Sequence, residues 1–140
     1  MKKSFTVAIV DDDEDDRSIF CDIVHEIFPL AKCITAHNGI DALEKLKSER
    51  NNLPDLIFLD INMPRMNGKE CLAVLKNTPC TQHIPVVIYT TSKLAKDEAE
   101  TRQLGAVDFL SKPAKSNDLK CKIGEIIKEI THFGAVPTHA

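Results

Sequence analysis

Four apolar segments of this chain each end on a polar side chain of a type used in phosphoryl-group chemistry. The residues at these ends are, in chain order, Asp11 with Asp12, Asp60, Thr90 and Lys112. Carboxylates, a hydroxyl and an ammonium group together can hold a hard divalent cation and the oxygens of a phosphoryl group. The first question is therefore whether the fold brings these ends to one place.

Asp60 is the predicted reactive group. The apolar run at 56–59 stops on this carboxylate and continues into a loop that contains Pro64 and Gly68, a pattern that points the carboxylate into a cleft. In that position Asp60 would act as a nucleophile and form an aspartyl phosphate. Lys112 would neutralise charge on the phosphoryl oxygens, and Thr90 would donate a hydrogen bond to one of them.

Magnesium is the predicted cofactor, because converging carboxylates repel one another and a divalent cation relieves that repulsion. Oxygen ligands with room for water favour Mg²⁺ over softer metals. The predicted ligands are Asp11, Asp12, Asp60 and the backbone carbonyl of Asn62. The acidic run continues to Asp16, which leaves the register open by one residue. We assign residues 13–16 to the start of the first helix, where negative charge complements the helix dipole.

The apolar segments, with a further short one at 33–36, alternate with five stretches of helical character. These stretches lie at 17–28, after Asn38-Gly39, after a cap at Asn67, between a cap at Ser92 and a stop at Gly105, and at 118–131. Five strand–helix units in alternation predict an α/β fold, a doubly wound parallel sheet with helices on both faces. Open sheets of this kind bind ligands at the carboxyl ends of their strands, where all four polar ends should lie.

Composition limits the function classes. The chain has 140 residues and a net charge of −3, which predicts one domain over 1–140, with a core at about 4–131 and a tail at 132–140. Without a basic stripe, DNA is not an expected partner, and no apolar stretch is long enough to span a membrane. Five dispersed cysteines without Cys-x-x-Cys spacing predict reduced thiols in a cytoplasmic protein rather than a zinc site.

These motifs resemble the receiver domain of two-component response regulators. The resemblance rests on Ile9-Val10-Asp11-Asp12, the stretch from Leu59 to Gly68, the strand end at Thr90, and Lys112-Pro113, and it covers about 4–131. It implies a flavodoxin-like, five-stranded sheet of order 2-1-3-4-5 and Mg²⁺-dependent transfer of phosphate from a kinase histidine to Asp60. It also implies a conformational relay, or switch, through Thr90 and Phe109.

The resemblance also implies partners. The expected donor is a sensor or hybrid histidine kinase, because the chain is most similar to standalone receivers with acidic starts that act beside phytochrome-type or hybrid kinases. The length leaves no room for an output domain, so we expect a standalone relay or protein-binding switch. A histidine phosphotransfer protein and a second copy of the chain, paired through the last helix, are further partners that this reading leaves open.

Three positions depart from the family pattern and leave the strength of the switch open. Phe109 stands where tyrosine is common, Thr91 where many receivers have a small residue, and Ala114 where a large apolar residue is common. Thr91 could narrow access to Asp60. A cis peptide bond before Pro113 would aim Lys112 into the cleft.

The polar helix after Ser92 should be the least firmly packed of the five helices.

Two other functions fit parts of the pattern. A magnesium-dependent phosphatase of the haloacid dehalogenase type also uses an aspartate nucleophile, but that aspartate ends the first strand and a second acid follows two residues later. Here the residue two after Asp60 is Asn62, and the chain lacks the length of a cap domain. The other alternative is an interaction scaffold whose site no longer takes phosphate, which the complete residue set argues against.

Overall fold

The computed structural model describes residues 5–49, 51–113 and 116–132. Strands and helices alternate along the chain as the sequence predicts. The elements are β1 (Thr6–Val10), α1 (Glu14–Ile27), β2 (Lys32–Ala36), α2 (Gly39–Ser48), β3 (Leu56–Leu59), α3 (Gly68–Lys76), β4 (Val86–Thr90), α4 (Ala95–Gln103), β5 (Asp108–Ser111) and α5 (Ser116–Thr131). Within these ranges, no helix is long and apolar enough to cross a bilayer.

The five strands form one parallel sheet in the order β2-β1-β3-β4-β5, which confirms the expected order. The chain reverses its direction of winding between β1 and β3, and this topological switch point is where such sheets bind ligands. Val10 lies opposite Leu59 in the β1–β3 ladder, and the Asp60 N–H donates to the Val10 carbonyl at 2.9 Å. The residues that follow the two central strands therefore emerge side by side.

Side chains alternate between two core clusters, one on each face of the sheet. On β1, Val7 and Ile9 join the cluster beneath α1 and α5, whereas Ala8 and Val10 join the cluster beneath α2 and α3. All four residues of β3 are buried, as expected for a strand covered on both faces. Full burial of a large apolar side chain contributes about 1.5–3 kcal/mol, so these clusters fix the strands whose ends carry the polar residues.

Capping side chains explain where the helices begin. Asn67 caps α3 as predicted and forms a reciprocal capping box with Glu70, and Asn38, where the second helix was predicted to open, caps α2. The helix α1 begins at Glu14, three residues before the amphipathic stretch that starts at Arg17, because Asp13 caps it and accepts a hydrogen bond from the Asp16 N–H. The acidic run thus belongs to the helix start, as predicted from the helix dipole.

The helix α4 differs from the others at both ends. The prediction of a Ser92 cap is wrong: Leu94 occupies the cap position without a side-chain cap bond, and Ser92 lies two residues before it, where its hydroxyl donates to Asp97 and accepts from the Leu94 N–H. Gly105 ends the helix with φ 114°, in the left-handed region that glycine tolerates, as predicted. Of its residues only Thr101 is buried, and Leu94 is 63% exposed, which agrees with a weakly packed helix.

Candidate functional site

Asp60 lies directly after β3 and is 6% exposed, at the carboxyl edge of the sheet. Its Oδ1 atom accepts a hydrogen bond from the Asn62 N–H at 3.4 Å. Gly68 allows the following loop to close beneath it, since a Cβ on Gly68 would lie 2.1 Å from the Asp60 carbonyl oxygen. The loop is held by the Gly68 N–H, which donates to the Ile61 carbonyl at 2.8 Å. The carboxylate is thus fixed by strand and loop together.

Two of the other predicted metal ligands, Asp11 and Asp12, lie beside Asp60. One carboxylate oxygen from each of Asp11, Asp12 and Asp60 lies within 4.8 Å of the others. Asp11 and Asp60 are buried, whereas Asp12 is exposed, so the group opens to solvent on one side. Hard oxygen ligands on a partly open edge fit Mg²⁺, which keeps several waters when a protein binds it.

Lys112 extends into this acidic group from the end of β5. Its Nζ lies 2.6 Å from Asp11 Oδ2, 2.8 Å from Asp16 Oδ2 and 3.8 Å from Asp60 Oδ2. The ammonium also stands 5.1 Å from the centroid of the Tyr89 ring. No peptide bond in the described residues is cis, so the hypothesis of a cis bond before Pro113 is wrong. A trans bond suffices to bring Lys112 to the site.

The ion pair between Lys112 and Asp11 is buried, and burial opposes charge on both partners. Burial alone would lower the pKa of Lys112, but its hydrogen bonds to Asp11 and Asp16 outweigh this and raise the pKa above its ordinary value. Burial raises the pKa of Asp11, against the opposing hydrogen bond from Lys112. Lys112 therefore stays protonated, because carboxylates lie on three sides of its ammonium group and raise its pKa.

Asp16 is a site residue that the sequence reasoning missed. It was assigned to the helix start, which the structure confirms, but its carboxylate also contacts Lys112. The signal was the cap at Asp13, which makes Asp16 the third residue of α1, at the end nearest the strand edge. The next residue, Arg17, donates from Nη1 to the Asp11 carbonyl at 2.8 Å. The side chains of Asp16 and Arg17 therefore both connect the start of α1 to the site.

Thr90 is fully buried at the end of β4 and contacts both Lys112 and the loop before α4. Its carbonyl accepts from the Lys112 N–H at 2.7 Å, and its hydroxyl accepts from the Ser92 N–H at 3.3 Å. Phe109 is partly buried and packs against the cluster beneath α2 and α3, as expected of a core ring. Thr91 is exposed, and the departure at Ala114 lies outside the described residues.

A second polar network, which the sequence did not reveal, joins α3 to α4. Lys69 Nζ lies 2.7 Å from Asp97 Oδ1 and 2.5 Å from Glu100 Oε2. The other oxygen of Asp97 accepts from the Ser92 hydroxyl at 2.5 Å. Lys69 immediately follows Gly68, so the network connects the loop beneath Asp60 with the loop after Thr90.

Comparison with known proteins identifies the family. The model of the response regulator receiver domain matches residues 7–124. The chain belongs to this family. A receiver-domain relative, the protein-glutamate methylesterase/protein-glutamine glutaminase of Pyrococcus horikoshii, is 33% identical over 143 residues, covering 98% of this chain and 37% of the relative. The chain thus spans little more than a third of the length of such curated relatives.

Solved receiver structures agree with the fold and with the sheet order. The phosphorylated cyanobacterial phytochrome response regulator RcpA has a TM-score of 0.84 and 26% identity, over 96% of this chain and 99% of that chain. The Mn²⁺-bound form of response regulator Rcp1 has a TM-score of 0.75 and 27% identity, over 97% of this chain and 99% of that chain. Both likenesses extend over almost the whole receiver.

Proposed function

We propose that this receiver accepts a phosphoryl group on Asp60 from a histidine kinase, in a Mg²⁺-dependent reaction that switches a partner-binding surface. The observation that supports this most directly is the convergence of three strand ends, those of β1, β3 and β5. Asp11, Asp12 and Asp60 place carboxylate oxygens within 4.8 Å of one another, and the Lys112 ammonium lies 3.8 Å from the Asp60 carboxylate. This is the set of groups that phosphoryl transfer to a carboxylate requires.

In the proposed transfer, an Asp60 carboxylate oxygen attacks phosphorus and the phosphorus–nitrogen bond of a phosphohistidine breaks. The electron pair of that bond remains on the imidazole nitrogen. Mg²⁺, held by Asp11, Asp12, Asp60 and the Asn62 carbonyl, would supply positive charge to the phosphoryl oxygens. Lys112 would supply a second cation by turning from Asp11 and Asp16 toward the new phosphoryl oxygens. The Asn62 N–H, already directed at Asp60, would keep the nucleophile oriented.

The proposed switch starts at Thr90. Its hydroxyl accepts from the Ser92 N–H, so a turn of the hydroxyl toward a phosphoryl oxygen would release the start of the loop before α4. Since α4 buries only Thr101, little apolar packing opposes its movement. Phe109 lacks the hydroxyl of the tyrosine that is common at this position, so its part in the relay would be one of packing alone.

The proposed partners follow from the family and from its structural relatives. The likeness to RcpA supports a phytochrome-type sensor or hybrid kinase as donor, and the Mn²⁺-bound Rcp1 supports a divalent cation at the acidic group. A cytoplasmic receiver that relays phosphate to a histidine phosphotransfer protein, or that pairs with a second copy, is consistent with the same fold. The role is that of a phosphoacceptor rather than an enzyme with an external substrate, and the methylesterase activity of some relatives is not carried over.

Intact mass after incubation with acetyl phosphate tests the proposal. We expect a single phosphoryl adduct on the wild-type chain that requires Mg²⁺, and its loss in Asp60→Asn. The Asp55→Asn variant is the matched control, because Asp55 precedes β3 and its Oδ2 accepts from the Thr6 N–H at the opposite end of the strands. An adduct that persists in Asp60→Asn, or a folded wild-type chain that takes no phosphoryl group, would overturn the assignment.

A further inference from the structure

Two of the five cysteines lie on elements that pack together, Cys21 on α1 and Cys33 on β2. Both side chains are half-buried against the cluster beneath α1 and α5, and the two thiols are close enough for each to shift the pKa of the other. Cys33 lies opposite Val7 in the β1–β2 ladder, which turns it to the same face of the sheet as α1. Cys71, by contrast, is buried on the other face, and Cys80 and Cys121 are exposed.

The surroundings of Cys21 favour reaction with a small oxidant. The thiol lines an open surface groove of about 340 Å³, together with Arg17, Ser18 and Thr35. Its pKa is lowered, first by the hydrogen bond from Cys33 and also by the charge of Arg17, against burial and the charge of Asp22. The pKa of Cys33 is raised because Cys33 donates that hydrogen bond and is itself buried. Because Cys21 lines this groove, it is the thiol that a small oxidant reaches first, and Cys33 is its partner.

We propose that Cys21 and Cys33 form a peroxide-reactive dithiol that closes to a disulfide between α1 and β2. The Cys21 thiolate attacks one oxygen of hydrogen peroxide, the oxygen–oxygen bond breaks, and the hydroxide that leaves is protonated to water. The Cys33 sulfur then attacks the Cys21 sulfenic acid, losing its proton as the sulfur–oxygen bond breaks and a second water leaves. The two thiols lose two electrons in total, and one peroxide becomes two waters.

The fold allows the small movement that a disulfide needs. A disulfide requires a sulfur–sulfur separation of about 2.05 Å and defined dihedral angles, so two unlinked thiols must approach further. Because β2 lies at the edge of the sheet and, among the residues that the structure describes, pairs only with β1, it can shift without disturbing a second ladder. Reversible disulfides in reducing compartments act in catalysis or redox sensing rather than as structural links, which is the role this partly accessible pair would take.

Peroxide treatment of the reduced full-length chain, followed by alkylation and intact mass under non-reducing conditions, tests the proposal. We expect loss of two hydrogens and alkylation of three thiols instead of five. Trypsin cleaves after Arg17, Lys32 and Lys45, so the linked cysteines should appear as peptide 18–32 joined to peptide 33–45, and dithiothreitol should separate them. The test does not involve Asp60, so its outcome is independent of the proposed phosphoryl transfer.

Cysteine-to-serine variants distinguish the roles of Cys21 and Cys33. In Cys33→Ser, Cys21 should persist as a sulfenic acid that dimedone traps, whereas in Cys21→Ser neither product should form. The double variant Cys80→Ser/Cys121→Ser lacks both exposed thiols and should give the linked peptides as the wild type does; it also keeps the test valid if a substitution at Cys21 prevents folding. Five alkylated thiols after peroxide, Cys21 oxidised without linked peptides, or disulfides found only between chains would each overturn the proposal.

Discussion

Lys69 of α3 and Asp97 of α4 form an ion pair with an Nζ–Oδ1 distance of 2.7 Å, and this pair connects two loops that border the Asp60 site. The hydrogen bond between the two side chains raises the pKa of Lys69 and lowers the pKa of Asp97, which are the directions expected when both partners are charged. Asp97 in turn accepts from Ser92, whose N–H donates to the Thr90 hydroxyl. A helix that buries only Thr101 is thus held largely by polar contacts at its start.

We predict that Lys69→Met loosens α4, because Asp97 and Glu100 lose the cation that connects them to α3. Amide hydrogen exchange over 95–103 should become faster, while exchange in α1 and α5 stays as in the wild type. Lys69→Arg, which keeps the charge, should restore most of the protection. The Lys96→Met variant is the matched control, because Lys96 lies on α4 itself, is 79% exposed and contacts Glu100 only at 3.7 Å. Equal exchange in both methionine variants would contradict a role for the Lys69 contact.

Part of this site could be predicted from the sequence, because the end of a buried strand is visible as the point where an apolar run stops on a polar residue. Apolar runs that stop on Asp11, Asp60 and Thr90 locate three side chains at one edge once the sheet is known to be parallel. The contacts of Lys69 with Asp97 and of Lys112 with Asp16 were not predictable in this way. They join residues 28 and 96 positions apart, and they depend on how two elements are oriented, which no local pattern encodes.

The beginnings of α4 and α1 depend on polar contacts rather than on hydrophobic periodicity. Ser92 has the side chain of a good cap, but it lies two residues before Leu94, which holds the cap position, and its hydroxyl contacts the Leu94 N–H and the Asp97 carboxylate. At α1 the apolar pattern begins only at residue 17, and the exposed acidic turn before it was assigned to the helix start by its charge, which the cap at Asp13 confirms.

We predict that Lys112→Met lowers the free energy of unfolding in the absence of Mg²⁺ by about 3 kcal/mol, because Asp11 is left buried without its cation. Saturating Mg²⁺ should restore part of that loss, since the metal would replace the missing charge. Urea unfolding with and without Mg²⁺ measures both effects. Lys120→Met, which breaks an exposed pair with Glu26 at 3.0 Å, is the matched control and should cost less than about 1 kcal/mol with no dependence on Mg²⁺.

The same variant tests the proposed switch. If Lys112 transmits the change at Asp60, phosphorylated Lys112→Met should show amide shifts confined to the site, whereas phosphorylated wild type should also show shifts over 90–104. Shifts over 90–104 that match the wild type in the variant would remove Lys112 from the relay.

The register of the acidic run can be tested at neighbouring positions. Asp12→Ala should weaken Mg²⁺ binding, because the Asp12 carboxylate belongs to the group of three around Asp60. Asp13→Ala should instead lower stability by about 1 kcal/mol and leave Mg²⁺ affinity nearly unchanged, since Asp13 caps α1 through the Asp16 N–H. Titration calorimetry with Mg²⁺, paired with urea unfolding, separates the two effects. A larger loss of affinity in Asp13→Ala would move the metal ligands by one residue.

Gly68→Ala should strongly destabilise the chain and impair phosphoryl transfer, because its Cβ would lie 2.1 Å from the Asp60 carbonyl oxygen and 2.7 Å from the Ile61 Cα. Backbone atoms cannot yield as a flexible side chain can, so the cost should reach about 3 kcal/mol or more. Gly124→Ala on α5 is the matched control. There the nearest atom is the terminal carbon of Ile27 at 3.2 Å, and alanine should be neutral or stabilise the helix by up to about 1 kcal/mol. Comparable unfolding midpoints for the two variants would show that the Asp60 loop adjusts freely.

Stability at alkaline pH should depend on a buried thiol on the opposite face of the sheet from Cys21 and Cys33. Burial raises the pKa of the Cys71 thiol from 9.0 to about 12. Between these values the unfolded chain has released the proton and the folded chain keeps it, so the folded state binds more protons and the free energy of unfolding falls as pH rises. The contribution is complete below pH 9 and should decrease by about 2–3 kcal/mol by about pH 11.

Urea unfolding under reducing conditions at about pH 8 and about pH 11 measures this dependence. In Cys71→Ala the fall in stability over that interval should be smaller but not absent, because Cys33, Lys112 and Tyr89 also have raised pKa values in the folded chain. The comparison uses the change with pH rather than absolute stability, since alanine also leaves a small cavity. Cys80→Ala removes an exposed thiol and is the matched control. The same fall in Cys71→Ala as in wild type would show that Cys71 ionises equally in the folded and unfolded chain.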